Sequence, residues 1–105
     1  MGRTVICAYR PKRGHETELL GLVAEHLPLL QSRGLANGHA GCRMRAPDGT
    51  VVEVFQWRSA AAIEEAHGDP DVQALWARFA RACDYVPLNT LPECSEMFAE
   101  FDPLP

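Results

Sequence analysis

Residues 50–57, TVVEVFQW, constrain the fold of this chain more than any other stretch. β-Branched and aromatic residues dominate the run, and it holds no glycine or proline, so it predicts a strand. Strand side chains alternate between two faces. Val52 and Val54 therefore share one face, and Glu53, Phe55 and Trp57 the other. Both faces carry apolar bulk, so both need cover. Just upstream, Pro47-Asp48-Gly49 is a turn sequence. Before it, residues 39–45 (HAGCRMR) alternate, with Ala40, Cys42 and Met44 opposed to Gly41, Arg43 and Arg45. Two strands around so short a turn predict an antiparallel hairpin.

The flanking segments repeat a pattern. Residues 4–9 (TVICAY) predict a first strand that stops at Arg10-Pro11. A helix follows over about residues 15–32, with Leu19, Leu20, Val23, Leu27 and Leu30 at helical spacing. Glu16 and Glu18 in its first turn suit the helix dipole. Pro28 lacks a backbone donor and crowds the preceding turn, which predicts a kink or break near Leu27. Gly34 ends the helix, and Asn37-Gly38 turns the chain.

After the hairpin, Ser59 is placed to cap a helix from Ala60 to about Gly68. Asp69-Pro70 restarts it, with Val72, Leu75, Trp76, Phe79 and Cys83 on one face. Residues 85–95, with two prolines, read as an ordered loop. Residues 96–101 (EMFAEF) read as the last strand. The order β-α-β-β-α-β predicts an α+β domain on the ferredoxin-like plan, a four-stranded antiparallel sheet with helices on one face.

The 105 residues make one domain, residues 1–105. A chain this size buries only about 60–65% of the surface it exposes unfolded. Helices on one face of a sheet that is apolar on both predict a homodimer, with sheets packed face to face. The formal net charge of −4 argues against a nucleic-acid partner. Arg10, Lys12 and Arg13 form a basic cluster that reads as a solvated loop or, more sharply, an anion site at a helix start. No stretch approaches membrane-spanning length and no signal segment is visible, so no membrane partner is expected. The four cysteines form no CxxC pair and read as reduced thiols of a cytoplasmic protein.

With these elements in place, the run VEVFQWRSAAAIEEAHGDPDV resembles the third strand and second helix of the antibiotic biosynthesis monooxygenase-like family. Trp57, Ser59 and His67 match its strand-end tryptophan, polar cap and helix-end histidine. RPKRGHETEL resembles the family's first strand-to-helix junction, and the likeness covers nearly the whole chain. It implies a dimeric α/β barrel. It also implies, without choosing among them, cofactor-free monooxygenases, haem-degrading enzymes, isomerases and proteins with no activity. A haem-degrading relative is expected to place an axial histidine near Trp76; indole is no axial ligand, which argues against haem.

Seven residues are candidates for chemistry. His67 precedes Gly68 and is either a cationic cap or a general base. Tyr9 is a second candidate for proton handling, and Arg45 or Arg43 for stabilising an anion. Trp57 and Trp76 are either core or the walls of an aromatic pocket. Glu53 is either one half of a cross-strand ion pair with Arg43 or Arg45, or part of a buried site. His15 and His26 lie at separate angles on the first helix and make no metal pair. His39 and Cys42 face opposite sides of a strand. No metal and no cofactor is expected, and no phosphate-loop, dinucleotide or nucleophile-elbow motif is present. The reading is a cofactor-independent monooxygenase or isomerase for a small carbonyl or phenolic compound. The alternative is a non-catalytic dimeric module that binds a small aromatic or carbonyl ligand.

Overall fold

The structure, a computed structural model, describes residues 2–105. Strand β1 (Arg3–Pro11) leads into helix α1 (Glu16–Ser32). The hairpin follows as β2 (Cys42–Arg45) and β3 (Val51–Trp57). Helices α2 (Ala60–His67) and α3 (Pro70–Ala82) then run directly into β4 (Cys83–Val86). Two short 3-10 turns, Leu88–Thr90 and Pro92–Ser95, lie in the tail, which ends on β5 (Asp102–Pro103). The result is an α+β fold with an antiparallel sheet ordered β4-β1-β3-β2-β5.

Local chemistry explains most of the boundaries. Asp48 Oδ1 accepts the Thr50 N–H at 2.8 Å and closes the hairpin turn. That backbone bond, foremost, holds the Asp48 carboxyl below its ordinary range. Gly34, at φ +69°, ends α1 in a Schellman motif: Leu35 N–H bonds Leu30 O, and Gly34 N–H bonds Gln31 O. The Ser59 side chain accepts from Ala62 N–H, and Asp69 accepts from Asp71 and Val72 N–H, so both caps form as the sequence predicts.

Four expectations need correction. The sheet has five strands, where four were expected. The strand after α3 is β4, beginning at Cys83, whereas residues 96–101 form no strand. Cys83 therefore opens a strand and does not close a helix face. Pro28 causes no break; α1 is continuous through it, with Pro28 on the exposed side. Finally, the second sheet face is not bare. Leu88, Leu91, Cys94 and Phe101 of the tail pack over Ala8, Met44 and Val52.

The two faces divide the core. Against the helices lie Tyr9, Val51, Glu53, Phe55 and Trp57, packed on Leu19, Leu22, Val23 and Leu30 of α1, Ala62 and Ala66 of α2, and Val72, Leu75 and Phe79 of α3. β4 pairs only with residues 8–11 of β1. Among the described residues, the outer edge of β1 over residues 3–7 has no strand partner, and beside it the gap to α3 opens as a cleft.

Candidate functional site

The cleft encloses about 710 Å³. β1 contributes Val5, Cys7 and Tyr9 to its wall, and β3 contributes Phe55 and Trp57. Trp76 and Phe79 come from α3, Tyr85 from β4 and His26 from α1. The lining is mainly aromatic and aliphatic, with a few convergent polar atoms, as small-molecule sites are.

Three of the lining residues, Tyr9, His26 and Trp76, are joined in one chain through Glu53. Tyr9 Oη–H donates to Glu53 Oε1 at 2.7 Å, and His26 Nδ1–H donates to the same oxygen at 2.9 Å. Trp76 Nε1–H donates to His26 Nε2 at 2.9 Å. An indole N–H only donates, so Nε2 accepts, and Nδ1 faces Glu53. The two partners therefore fix the imidazole as the neutral tautomer with its proton on Nδ1. Glu53 is 1% exposed, and His26 and Tyr9 are 4% exposed. Trp76 is half-buried and forms the end of the chain nearest the solvent.

Burial, and then the Glu53 carboxylate, pushes the Tyr9 hydroxyl far above its ordinary range. Tyr9 thus serves as a donor to Glu53 and does not ionise. Burial likewise pushes the neighbouring Cys7 thiol up to about 11, so it is no thiolate nucleophile near neutrality. The aromatic rings wedge the imidazole in place. Phe55 and Phe79 meet His26 edge-on, with centroids 5.4 and 5.2 Å away.

Tyr9, Glu53 and Trp76, all candidates of the sequence, are members of this chain, and Trp57 lines the same cleft. His67 lies beside it, in the last turn of α2. Its Nδ1 is 2.8 Å from Ile63 O, and its exposed ring sits edge-on to Trp76 at 5.3 Å. Arg43 is opposite Glu53 in the sheet register but forms no ion pair with it: the bonds to Glu53 fall on Oε1, and Oε2 has no partner among the described residues. Arg43 and Glu53 instead share the wall of a second cavity of about 130 Å³ under α1. Arg45 is exposed at the far end of β2, opposite Val51 and Asp102, away from the cleft.

The residue missing from the list is His26. It falls three or four residues from Leu22, Val23 and Leu30, inside the apolar stripe of α1. A histidine at a stripe position needs polar partners from another element, and that was the available signal. Among the described residues, no cluster of three or more metal-ligating side chains is present. Comparison with family models, curated proteins and solved structures finds no match to the chain.

Proposed function

We propose that this chain is a proton-abstracting enzyme for a small phenolic or enolisable carbonyl compound, with His26 as the base. The observation that carries the reading is His26 in the wall of an apolar cleft, held from behind by the buried Glu53 carboxyl. Glu53 holds the imidazole in the tautomer whose Nε2 lone pair faces the cleft side, and it offsets the positive charge His26 gains on taking a proton. A buried carboxylate orienting a histidine is the arrangement general-base catalysis uses elsewhere. Tyr9 holds the carboxylate from its other side. Trp57, Phe55 and Trp76 supply flat walls for a ring, and the dry surroundings strengthen each polar contact.

Two outcomes follow from such a proton transfer. In an isomerase, His26 returns the proton to a different carbon. In a monooxygenase, the substrate carbanion reduces dioxygen; one oxygen atom enters the product as a carbonyl and the other leaves as water. Neither outcome calls on a cofactor.

The wider reading comes with this one. The β-α-β-β-α-β order and the β4-β1-β3-β2 neighbourhood support a ferredoxin-like plan, extended here by β5. Ile6 at 51% exposure, with Met97 and Phe98 more exposed still, supports a homodimer of the dimeric α/β-barrel kind. Monomeric mass by light scattering at micromolar concentration would contradict the dimer. Four free cysteines support a cytoplasmic location. No helix among the described residues is long and apolar enough to cross a membrane.

A second reading has its own observation. The His26 lone pair is already taken by Trp76, which suits a module that only binds. Oxygen uptake and solvent-deuterium exchange against a panel of anthrones, quinols, phenols and cyclic ketones separate the two. Turnover or exchange is expected with the native protein. A loss of at least about a hundredfold is expected in Glu53→Gln, and none in the exposed Arg58→Ala. No exchange or uptake across the panel would leave only the binding reading.

A further inference from the structure

Both nitrogens of His26 are engaged, yet the two bonds differ in kind. The Nδ1–H bond to Glu53 joins two buried groups on α1 and β3. The Nε2 bond reaches out to α3, to an indole that is itself part of the cleft wall. The titratable groups packed around His26 are Glu53 of β3 and, on β1, Tyr9 and Cys7. His67 of α2 meets the Trp76 ring edge-on. Tyr9 spends its hydrogen bond on Glu53, so Trp76 is the donor Nε2 has.

We infer that Trp76 is a displaceable plug on His26 Nε2, and that it sets the specificity of the cleft for ligands with an O–H donor. The ligand class rests on the function proposed above; the plug is a property of the ligand-free protein. The physical argument is one of exchange. A phenol that turns the indole aside replaces an N–H···N bond with an O–H···N bond, so His26 Nε2 keeps a donor, and the freed indole N–H belongs to the half-buried end of the chain, nearest the solvent. Anisole, its methyl ether, has nearly the same ring and no donor. It either leaves Nε2 unsatisfied, at a real cost in affinity, or binds without reaching His26. A tryptophan serving only as a wall would treat the two alike.

Calorimetric binding of phenol and anisole to the native protein and to Trp76→Phe tests this. Native protein is expected to bind phenol at least about tenfold more tightly than anisole. Trp76→Phe removes the competing donor but keeps an aromatic wall. Phenol binding should then tighten about fivefold or more, while anisole gains less. Equal affinities in the native protein would overturn the plug, as would parallel weakening of both ligands in Trp76→Phe. Nitrogen NMR of the ligand-free protein supplies an independent arm. Nδ1 of His26 should carry the proton, and a coupling should cross from Trp76 Nε1–H to Nε2; a proton on Nε2 would overturn the plug whatever binds. Binding of neither compound, with the tautomer as expected, would overturn the ligand class proposed above and with it the selecting role of Trp76.

Discussion

The two faces of the sheet are closed by different means. On one face, three helices lay periodic apolar stripes over β1 and β3, and a four-residue polar chain is threaded through that layer. On the other, an irregular tail straps a smaller cluster of Ala8, Ala46, Val52 and Leu91, leaving Ile6 half-open. The helix face holds Glu53, His26 and Tyr9 because they bond to one another; the strapped face holds apolar contacts and little else. Specific chemistry is therefore expected of the first face, and association of the second.

The sharpest way to break this contrast is to remove the centre of the polar chain. Glu53→Ala leaves the Tyr9 hydroxyl and His26 Nδ1–H buried without an acceptor. The expected loss in urea unfolding is about 3–5 kcal/mol. A loss below about 1 kcal/mol would mean that the chain is not the organising feature of its face. The strapped face has its own probe. Leu91 is 1% exposed although it lies between two 3-10 turns. Leu91→Ala should cost about 2–4 kcal/mol, as a core leucine does, and a cost near zero would show that the tail is not packed on the sheet.

The thiols distinguish the faces by pH. Cys7, on the helix face, is shifted from 9.0 to about 11, chiefly by burial, and so is Cys83. Both keep their protons longer when folded than when unfolded. Their contribution to stability is present in full below about pH 9 and is lost as the pH rises through about 11. Denaturation midpoints should fall across that window. Iodoacetamide at pH 8 should label exposed Cys42 well before Cys7 or Cys83, and mass spectrometry of the digested protein checks the order. The smallest effect is expected outside both faces. Arg78→Ala cuts an exposed pair with Glu25 that bridges α1 and α3, and should change stability by no more than about 0.5 kcal/mol.

The helix face was largely legible in the sequence, because strand alternation and helical spacing are local. The opposed sets on β1 and β3, the caps at Ser59 and Asp69 and the stripe on α3 all follow from that. Besides Pro28 and Cys83, the slip there was of phase. The α1 stripe reads through Leu27 by hydrophobicity, but the buried position is His26, since a satisfied histidine outranked a leucine at the next angle. Tyr9, Glu53 and Trp76 could each be named, but that they meet is a matter of tertiary contact, with Tyr9 and Glu53 44 positions apart and His26 and Trp76 50. The strapped face was scarcely legible. Residues 96–101 have strand-like composition, yet the cysteine-led β4 takes the place beside β1. The tail closes the sheet with two non-repeating turns, and no periodicity marks such turns in advance.

A crystal structure grown with phenol tests the centre of this picture most directly. The ring should lie in the cleft with its oxygen about 2.7–3.2 Å from His26 Nε2, the Glu53–His26 bond kept and the Trp76 indole turned away. Phenol seated elsewhere, or in the cleft with the Trp76–His26 bond intact, would contradict it.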